Sequence, residues 1–186
     1  ESQSAVANFL NGKEVSYERM YLSRGFIKPV GEGKTANTVI MVPEHQDFNG
    51  QFTLYSNGEK QALGDDGVWV CYPFANANGL KVGDEIFYRD SVVGEVKLPI
   101  VGIFEYYMNN TRIIMSKAVY RKYFGVDVVV GSFVFFADDE KTAEIKTFTE
   151  SLSGYIGKWD YYNTKVHEFQ LPTTIATALG TLYLIL

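Results

Sequence analysis

The stretch that decides the fold runs from residue 79 to residue 115. It reads GLKVGDEIFY at 79–88 and, after a polar turn, VKLPIVGIF at 96–104. Apolar residues alternate with polar ones in both runs, which is typical of strands. Neither run contains a pair of side chains that could react together. The stretch therefore indicates architecture and not catalysis.

Three residues inside this stretch, after Gly79 at its start, mark changes of backbone direction. Gly83 and Asp84 lie where a helical turn passes into a strand, a position that favours positive φ and lets an aspartate bond the amides that follow it. Gly102 interrupts an apolar strand, which indicates a bend or the close approach of another backbone. Together with the hairpin signal at 91–94, they predict a small closed or curled sheet.

The composition is that of a packed globular protein rich in strands. The 186 residues are 46% hydrophobic and 21% charged, and they include 13 Tyr and 13 Phe, which favours strands and large buried area per side chain. The formal charge of −5, with no basic stripe along the sequence, argues against nucleic acid as a partner. One cysteine, Cys71, excludes an intrachain disulfide and lies in an apolar run, where a buried role is expected.

Before this stretch, the sequence predicts a helix and several strands. The spacing of apolar residues at 4–10 predicts a short helix, 15–27 a strand that ends in a loop at 23–25, and 38–42 a second strand. Residues 52–59 carry a hairpin signal, Ser-Asn-Gly-Glu. After the strand at 68–72, a helical turn at 73–78 ends at Gly79.

After this stretch, helices and strands alternate again. A strand at 112–115 precedes a helix that Ser116 caps and Gly125 ends. Residues 126–136 are the strongest strand region, interrupted at Gly131, and the acidic residues 138–140 begin a further helix. A last strand is expected at 159–162. The fold class predicted is α+β, in which 1–47 and 116–165 form a split α/β part and 48–115 form an inserted β-rich subdomain.

Motifs that would indicate an enzyme or a metal site are missing from the sequence. Gly31 to Thr35 reads Gly-Glu-Gly-Lys-Thr, but the first glycine of a phosphate loop is replaced by Lys28 and a strand, not a helix, follows. The Asp65-Asp66-Gly67 turn lacks the alternating acids of a calcium loop. His45 and His167 lie far apart in the sequence. We therefore expect no catalytic residue, cofactor or metal, and acids on a solvated surface.

The last residues of the chain become steadily more apolar. Residues 171–186 contain no charged side chain, although a membrane-spanning helix needs about 20 apolar residues. Two interpretations stay open from this pattern: the start of a transmembrane helix, with Pro172 in its first turn, or an apolar segment packed on the domain. The start at Glu1, without a methionine or signal peptide, is expected of a piece of a longer chain.

Three short motifs in a fixed order carry a family resemblance. GLKVGDEI at 79–86, IVGIF at 100–104 and IIMSK at 113–117 resemble the extracytoplasmic core domain of FtsX-like and MacB-type ABC transporter permeases. The resemblance implies a noncatalytic bacterial domain that faces the extracytoplasmic side of the cell membrane between transmembrane helices. It also implies that Gly79, Gly83, Asp84 and Gly102 form a structural signature.

The resemblance also implies partners. An ABC ATPase subunit or domain in the cytoplasm would hydrolyse ATP and act through the membrane part, while an extracytoplasmic protein, peptide or lipid would be the substrate or partner. A homodimer is compatible with this arrangement. Aromatic residues are enriched at interfaces, so the candidate partner contacts are Tyr106, Tyr107, Trp159, Tyr161 and Tyr162. Aromatic residues of strands are more often part of the core, and this alternative stays open for all five. The alternative function is a secreted or surface-anchored module that binds protein or peptide, and a hydrolase with dispersed acids is a third.

Overall fold

The structure is a computed structural model that describes residues 2–91, 94–105 and 111–152. The chain divides into two units, residues 1–145 and residues 146–186, and of the second the structure describes 146–152. The helices and strands are, in chain order, α1 Ser2–Gly12, β1 Tyr17–Pro29, β2 Ala36–Pro43, a 3-10 turn Phe48–Gly50, β3 Leu54–Ser56, β4 Glu59–Gln61, β5 Val68–Cys71, α2 Tyr72–Ala77, β6 Glu85–Asp90, β7 Gly94–Phe104, β8 Thr111–Ile114, α3 Lys117–Phe124, β9 Ser132–Phe135 and α4 Asp139–Ser151.

The main sheet closes on itself through the pairing of β1 with β2. Its strand order is β2-β8-β5-β7-β6-β1-β9, and β1 also pairs with β2. Strand β1 is long enough, at 13 residues, to pair with β9 at its start, with β6 at its end and with β2 along most of its length. Six strands therefore form a ring, in which β2–β8 and β5–β7 are parallel pairs and the other pairs are antiparallel.

The core fills the ring and is covered by helix α3. Branched apolar side chains that are fully buried line it, namely Ile27, Ile40, Val42, Ile86, Leu98 and Ile113. Ser116 accepts a hydrogen bond from the Val119 amide at the start of α3, and Gly125 ends that helix in the left-handed conformation. Tyr120 packs edge-on against Tyr21. Strands and helix thus bury one continuous apolar cluster, the arrangement that stabilises a small domain.

Most of the secondary structure predicted from the sequence is confirmed. The α+β class, the N-terminal helix, the hairpin at β3–β4 and the helix capped by Ser116 are present. In the hairpin, Asn57 and Gly58 both have positive φ, at 53° and 77°. That is the backbone of the two-residue turn that Asn-Gly favours.

Two local predictions are wrong. Residues 23–25 are not a loop but lie inside β1, because Gly25 provides close packing and not a turn: a Cβ there would lie 2.6 Å from the Arg89 carbonyl oxygen. Of residues 126–136, only Ser132–Phe135 form a strand. Val126 and Val129 are 52% and 78% exposed. Because β-branched residues favour strands only where they pack against neighbours, these two valines do not extend the strand.

The split into two parts is not confirmed. Residues 48–115 supply β3 to β8, whereas β1, β2 and β9 come from the two flanks, and strands of both origins pair in one sheet. The domain boundaries stay a prediction. The expected strand at 159–162 and the apolar segment 171–186 lie outside the described residues. Across the described part of the chain, no helix combines the length and the apolar character needed to cross a membrane.

Candidate functional site

The first motif forms the turn that leads into β6. Gly79 follows α2 with φ +64°, and Gly83 has φ +96°, a region that costs a side chain energy. The Gly83 amide donates to the Ile100 carbonyl at 2.9 Å, and the Ile100 amide donates to the Asp84 carbonyl at 2.8 Å. The Asp84 carboxylate accepts from the Lys81 amide at 2.7 Å. The aspartate therefore bonds an amide that precedes it, and not one that follows it.

Gly102 lies at an irregularity in β7. Consecutive residues Val68 and Trp69 pair with Ile100 and Gly102, so Val101 is the extra residue of a β-bulge. A Cβ at Gly102 would collide with the indole ring of Trp69. The glycine thus allows Trp69 to lie flat against β7, and Trp69 is 7% exposed.

These four residues shape the backbone: three are glycines without a side chain, and the Asp84 carboxylate bonds an amide within the turn. Their assignment as a family signature stays a prediction. The candidate partner contacts Tyr106, Tyr107, Trp159, Tyr161 and Tyr162 lie outside the described residues.

In the Gly-Lys-Thr segment and in the acidic turn, Lys34 and Asp65 form hydrogen bonds with residues distant in the sequence. Residues 31–35 lead directly into strand β2, and the Lys34 amide donates to the side chain of Asn78 at 2.7 Å. Asp65 accepts from the Gln46 side chain at 2.7 Å and from the Ser116 hydroxyl. In the described ranges, no group of three or more His, Cys, Asp or Glu residues is arranged to hold a metal ion.

A polar cleft of about 520 Å³ opens beside the start of β1. It lies between the end of α1 and the segment that joins β2 to the 3-10 turn. Its polar side chains include Asn11, Glu14, Arg19, Glu44, His45 and Asn49. Because Glu14, Arg19, Glu44 and His45 line one cleft, it is the candidate site that the structure adds.

At this cleft, a fully buried carboxylate holds a histidine. The Glu18 side chain has 0% exposure and that of His45 has 58%. One oxygen of Glu18 accepts from the His45 amide at 2.8 Å, and the other lies 3.0 Å from Nδ1 of the same residue. Buried carboxylates are costly unless their oxygens are hydrogen-bonded, and His45 contacts both oxygens of Glu18. The pair therefore ties the segment after β2 to strand β1.

Arg19 and Asn49 extend this polar network. The Arg19 guanidinium donates to the Gln3 side chain at 2.8 Å and to the Val130 carbonyl at 3.0 Å, and it lies 3.7 Å from the Glu44 carboxylate. Asn49 donates to the Tyr17 carbonyl at 2.7 Å. These bonds all join β1 to segments distant in the sequence, which is what a structural network does.

A histidine oriented by a carboxylate can act as a base or a metal ligand. Catalysis would also need a positioned nucleophile or substrate-polarising group, and a metal would need further ligands. The bonds of Glu18, Arg19 and Asn49 join β1 to segments distant in the sequence, which supports a structural role. Sequence reasoning missed Glu18, although its spacing of two from Met20 places it on a buried strand face.

Two buried tyrosines of the core, Tyr88 and Tyr120, have a strongly raised pKa. Burial raises the pKa of Tyr88 above its ordinary value, and so does the hydrogen bond that it donates to Asp90 at 2.9 Å. Burial also raises the pKa of Tyr120, with Tyr21 as hydrogen-bond partner. Both hydroxyl groups therefore stay protonated at neutral pH and can only donate or accept hydrogen bonds.

Similarity to known proteins is found in structure. No protein-family model matches the chain, and no curated protein matches it. Among solved structures, the chain is similar to the periplasmic region of MacB from Actinobacillus actinomycetemcomitans, over 91% of this chain and 82% of that one, with 14% identity and a TM-score of 0.48.

Proposed function

We propose that this chain is the noncatalytic extracytoplasmic domain of an ABC transporter permease. In this role it couples movement of membrane helices, driven by a separate ATPase, to a substrate or partner outside the membrane. The observation that carries the proposal is that the first two of its three motifs contact each other directly. Gly83 and Asp84 of the first motif both exchange backbone hydrogen bonds with Ile100 of the second.

The third motif lies close by in the same sheet. It contains the end of β8 and the start of α3, and β5 lies between β8 and β7. Segments separated by up to about thirty residues therefore form one connected structure. This supports treating the motif order as a single signature.

Cysteine labelling of the full-length protein in intact cells tests the proposed location. Cys71, the one cysteine of these 186 residues, is buried, whereas Lys34 and Lys60 are exposed. We expect Lys34→Cys and Lys60→Cys each to add labelling by a membrane-impermeant maleimide in intact cells, compared with the same protein that keeps both lysines. Labelling that appears only after the membrane is permeabilised would contradict the proposal.

The alternative, a secreted or surface-anchored binding module, is distinguished by a second measurement. Both functions predict labelling in intact cells, but only the permease domain requires hydrophobic spans of about 20 residues on each side of the domain. Reading the complete open reading frame decides between them. A frame without such spans removes the permease proposal and leaves the binding module.

A further inference from the structure

One face of strand β1 is open along its second half. Residues at alternate positions point to the same side of a strand, and here Leu22, Arg24, Phe26 and Lys28 are all exposed. Leu22 and Phe26 are large apolar side chains with 41% and 46% exposure. These four residues, which we call the outer face of β1, alternate apolar and cationic groups.

The neighbouring strands continue this pattern. Residues directly opposite each other in a sheet share a side, and the residues opposite Leu22, Arg24 and Phe26 on β2 are Met41, Val39 and Asn37. On β6, Arg89 lies opposite Phe26, with its guanidinium 5.9 Å from the ring centre. The outer face of β1 therefore lies at the centre of a wider apolar and basic surface.

Positive charge is in excess on this surface, although the whole chain carries −5. Arg24 and Arg89 form no ion pair with any described residue, whereas Lys28 lies 3.5 Å from Glu95 and Lys97 lies 2.6 Å from Glu85. By strand register, four exposed cations on this side face two carboxylates that are not buried, a surplus of two. The cations are Arg24, Lys28, Arg89 and Lys97, and the carboxylates are Glu85 and Glu95.

We propose that the outer face of β1 binds an acidic segment of a partner protein that also carries apolar side chains. Apolar groups between unpaired arginines match such a segment in both charge and hydrophobicity. The inference rests on the proposed extracytoplasmic function, for which it names the contact surface and the class of partner.

A protein segment fits this surface better than an anionic membrane. A short segment is affected mainly by charges within about 8 Å at physiological salt, and within that distance the surface is positive. A bilayer extends beyond this surface, so it is also affected by the charges around it, in a chain whose net charge is −5.

The test uses the full chain and a fluorescent peptide of Glu, Leu and Phe, long enough to lie along the strand, with two control peptides. One control has Lys in place of Glu, and the other has Ser in place of Leu and Phe. We expect only the acidic, apolar peptide to bind, and its affinity to fall as salt rises. Absence of binding, or equal binding of either control, would overturn the proposal.

Variants of the chain locate the binding surface. Arg24→Glu and Phe26→Ser should each weaken peptide binding about tenfold, since each removes one of the two complementary features and the first adds repulsion. Lys60→Glu is the matched control, because it makes the same charge change on exposed strand β4 and should leave binding unchanged. Equal weakening by Lys60→Glu would show a general charge effect and would overturn the proposal.

Two further measurements distinguish loss of the surface from misfolding and from membrane binding. If Arg24→Glu fails to fold in a urea titration, Arg24→Gln with Arg89→Gln replaces it, with the same expected loss of affinity. Vesicles of phosphatidylglycerol that bind the chain more tightly than the peptide does, and lose that binding in Arg24→Glu, would identify a membrane surface and overturn the proposal. Cysteine labelling in cells does not depend on these results, so the location and the binding surface can fail separately.

Discussion

The two halves of strand β1 have the same alternating pattern but different environments. Glu18 and Met20 in the first half are fully buried, whereas Leu22 and Phe26 on the same side of the second half are exposed. In the first half, Glu18 bonds to His45 of the segment after β2. Leu22 is exposed although it is as apolar as the buried Met20, so the hydrophobicity of the strand alone does not decide which of its residues are buried.

The strongest way to test this difference is to truncate one apolar residue in each half. Met20→Ala should lower the free energy of unfolding by about 3 kcal/mol, because it removes a fully buried side chain and leaves a cavity. Leu22→Ala, two residues later on the same face, should lower it by less than about 1 kcal/mol, since the side chain is 41% exposed. Urea unfolding measures both, and similar losses in the two variants would contradict the comparison.

Removing the Glu18 carboxylate, which bonds the segment after β2 to β1, should have the next largest effect. Glu18→Ala should cost about 2 kcal/mol, because the amide and ring of His45 lose their acceptors and a cavity remains. Glu18→Gln is the matched control: its carbonyl oxygen can still accept from the His45 amide, so a smaller loss is expected. If both variants were as stable as the native chain, the pair would not hold the segment after β2 in place.

Sequence patterns predict the strands but not how they are covered. Alternation places Glu18, Met20, Leu22 and Phe26 on one side of β1, and this is correct. It does not reveal which of them are buried, because the contact between Glu18 and His45 joins residues 27 positions apart. A local pattern has period two whether or not something packs on it.

The glycines show a similar limit. The hairpin turn at Asn57-Gly58 is predictable because a two-residue loop restricts the backbone locally. Ser23-Arg24-Gly25 is a sequence that favours a turn. Nothing in these three residues reveals that the Arg89 carbonyl lies against Gly25. Close packing across strands depends on the partner strand, which the sequence does not name. Of the candidate site, the turn at Gly83 is predictable and the polar cleft is not.

The smallest expected effect concerns the second half of β1, on the side that faces the core. There Tyr88 of β6 lies opposite Ile27 and is fully buried. Burial and the hydrogen bond to Asp90 raise the pKa of Tyr88. In the unfolded chain a tyrosine ionises near pH 10, while in the folded chain Tyr88 keeps its proton to higher pH. Its contribution to stability is therefore complete below about pH 10 and is lost as pH rises above that value.

Tyr88→Phe removes this contribution and should flatten the alkaline decline. Between about pH 10 and pH 11, the native chain should lose about 1 kcal/mol more of its unfolding free energy than the variant loses, since each ionisation suppressed by folding costs up to about 1.4 kcal/mol per pH unit. Urea titrations at both pH values measure the two slopes, and comparing slopes cancels the pH-independent cost of the lost hydrogen bond. Tyr55→Phe is the control, because Tyr55 is 46% exposed and should leave the slope unchanged. Equal slopes for Tyr88→Phe and the native chain would mean that the second half of β1 is accessible to solvent on both sides, and the contrast with the first half would then extend through the sheet.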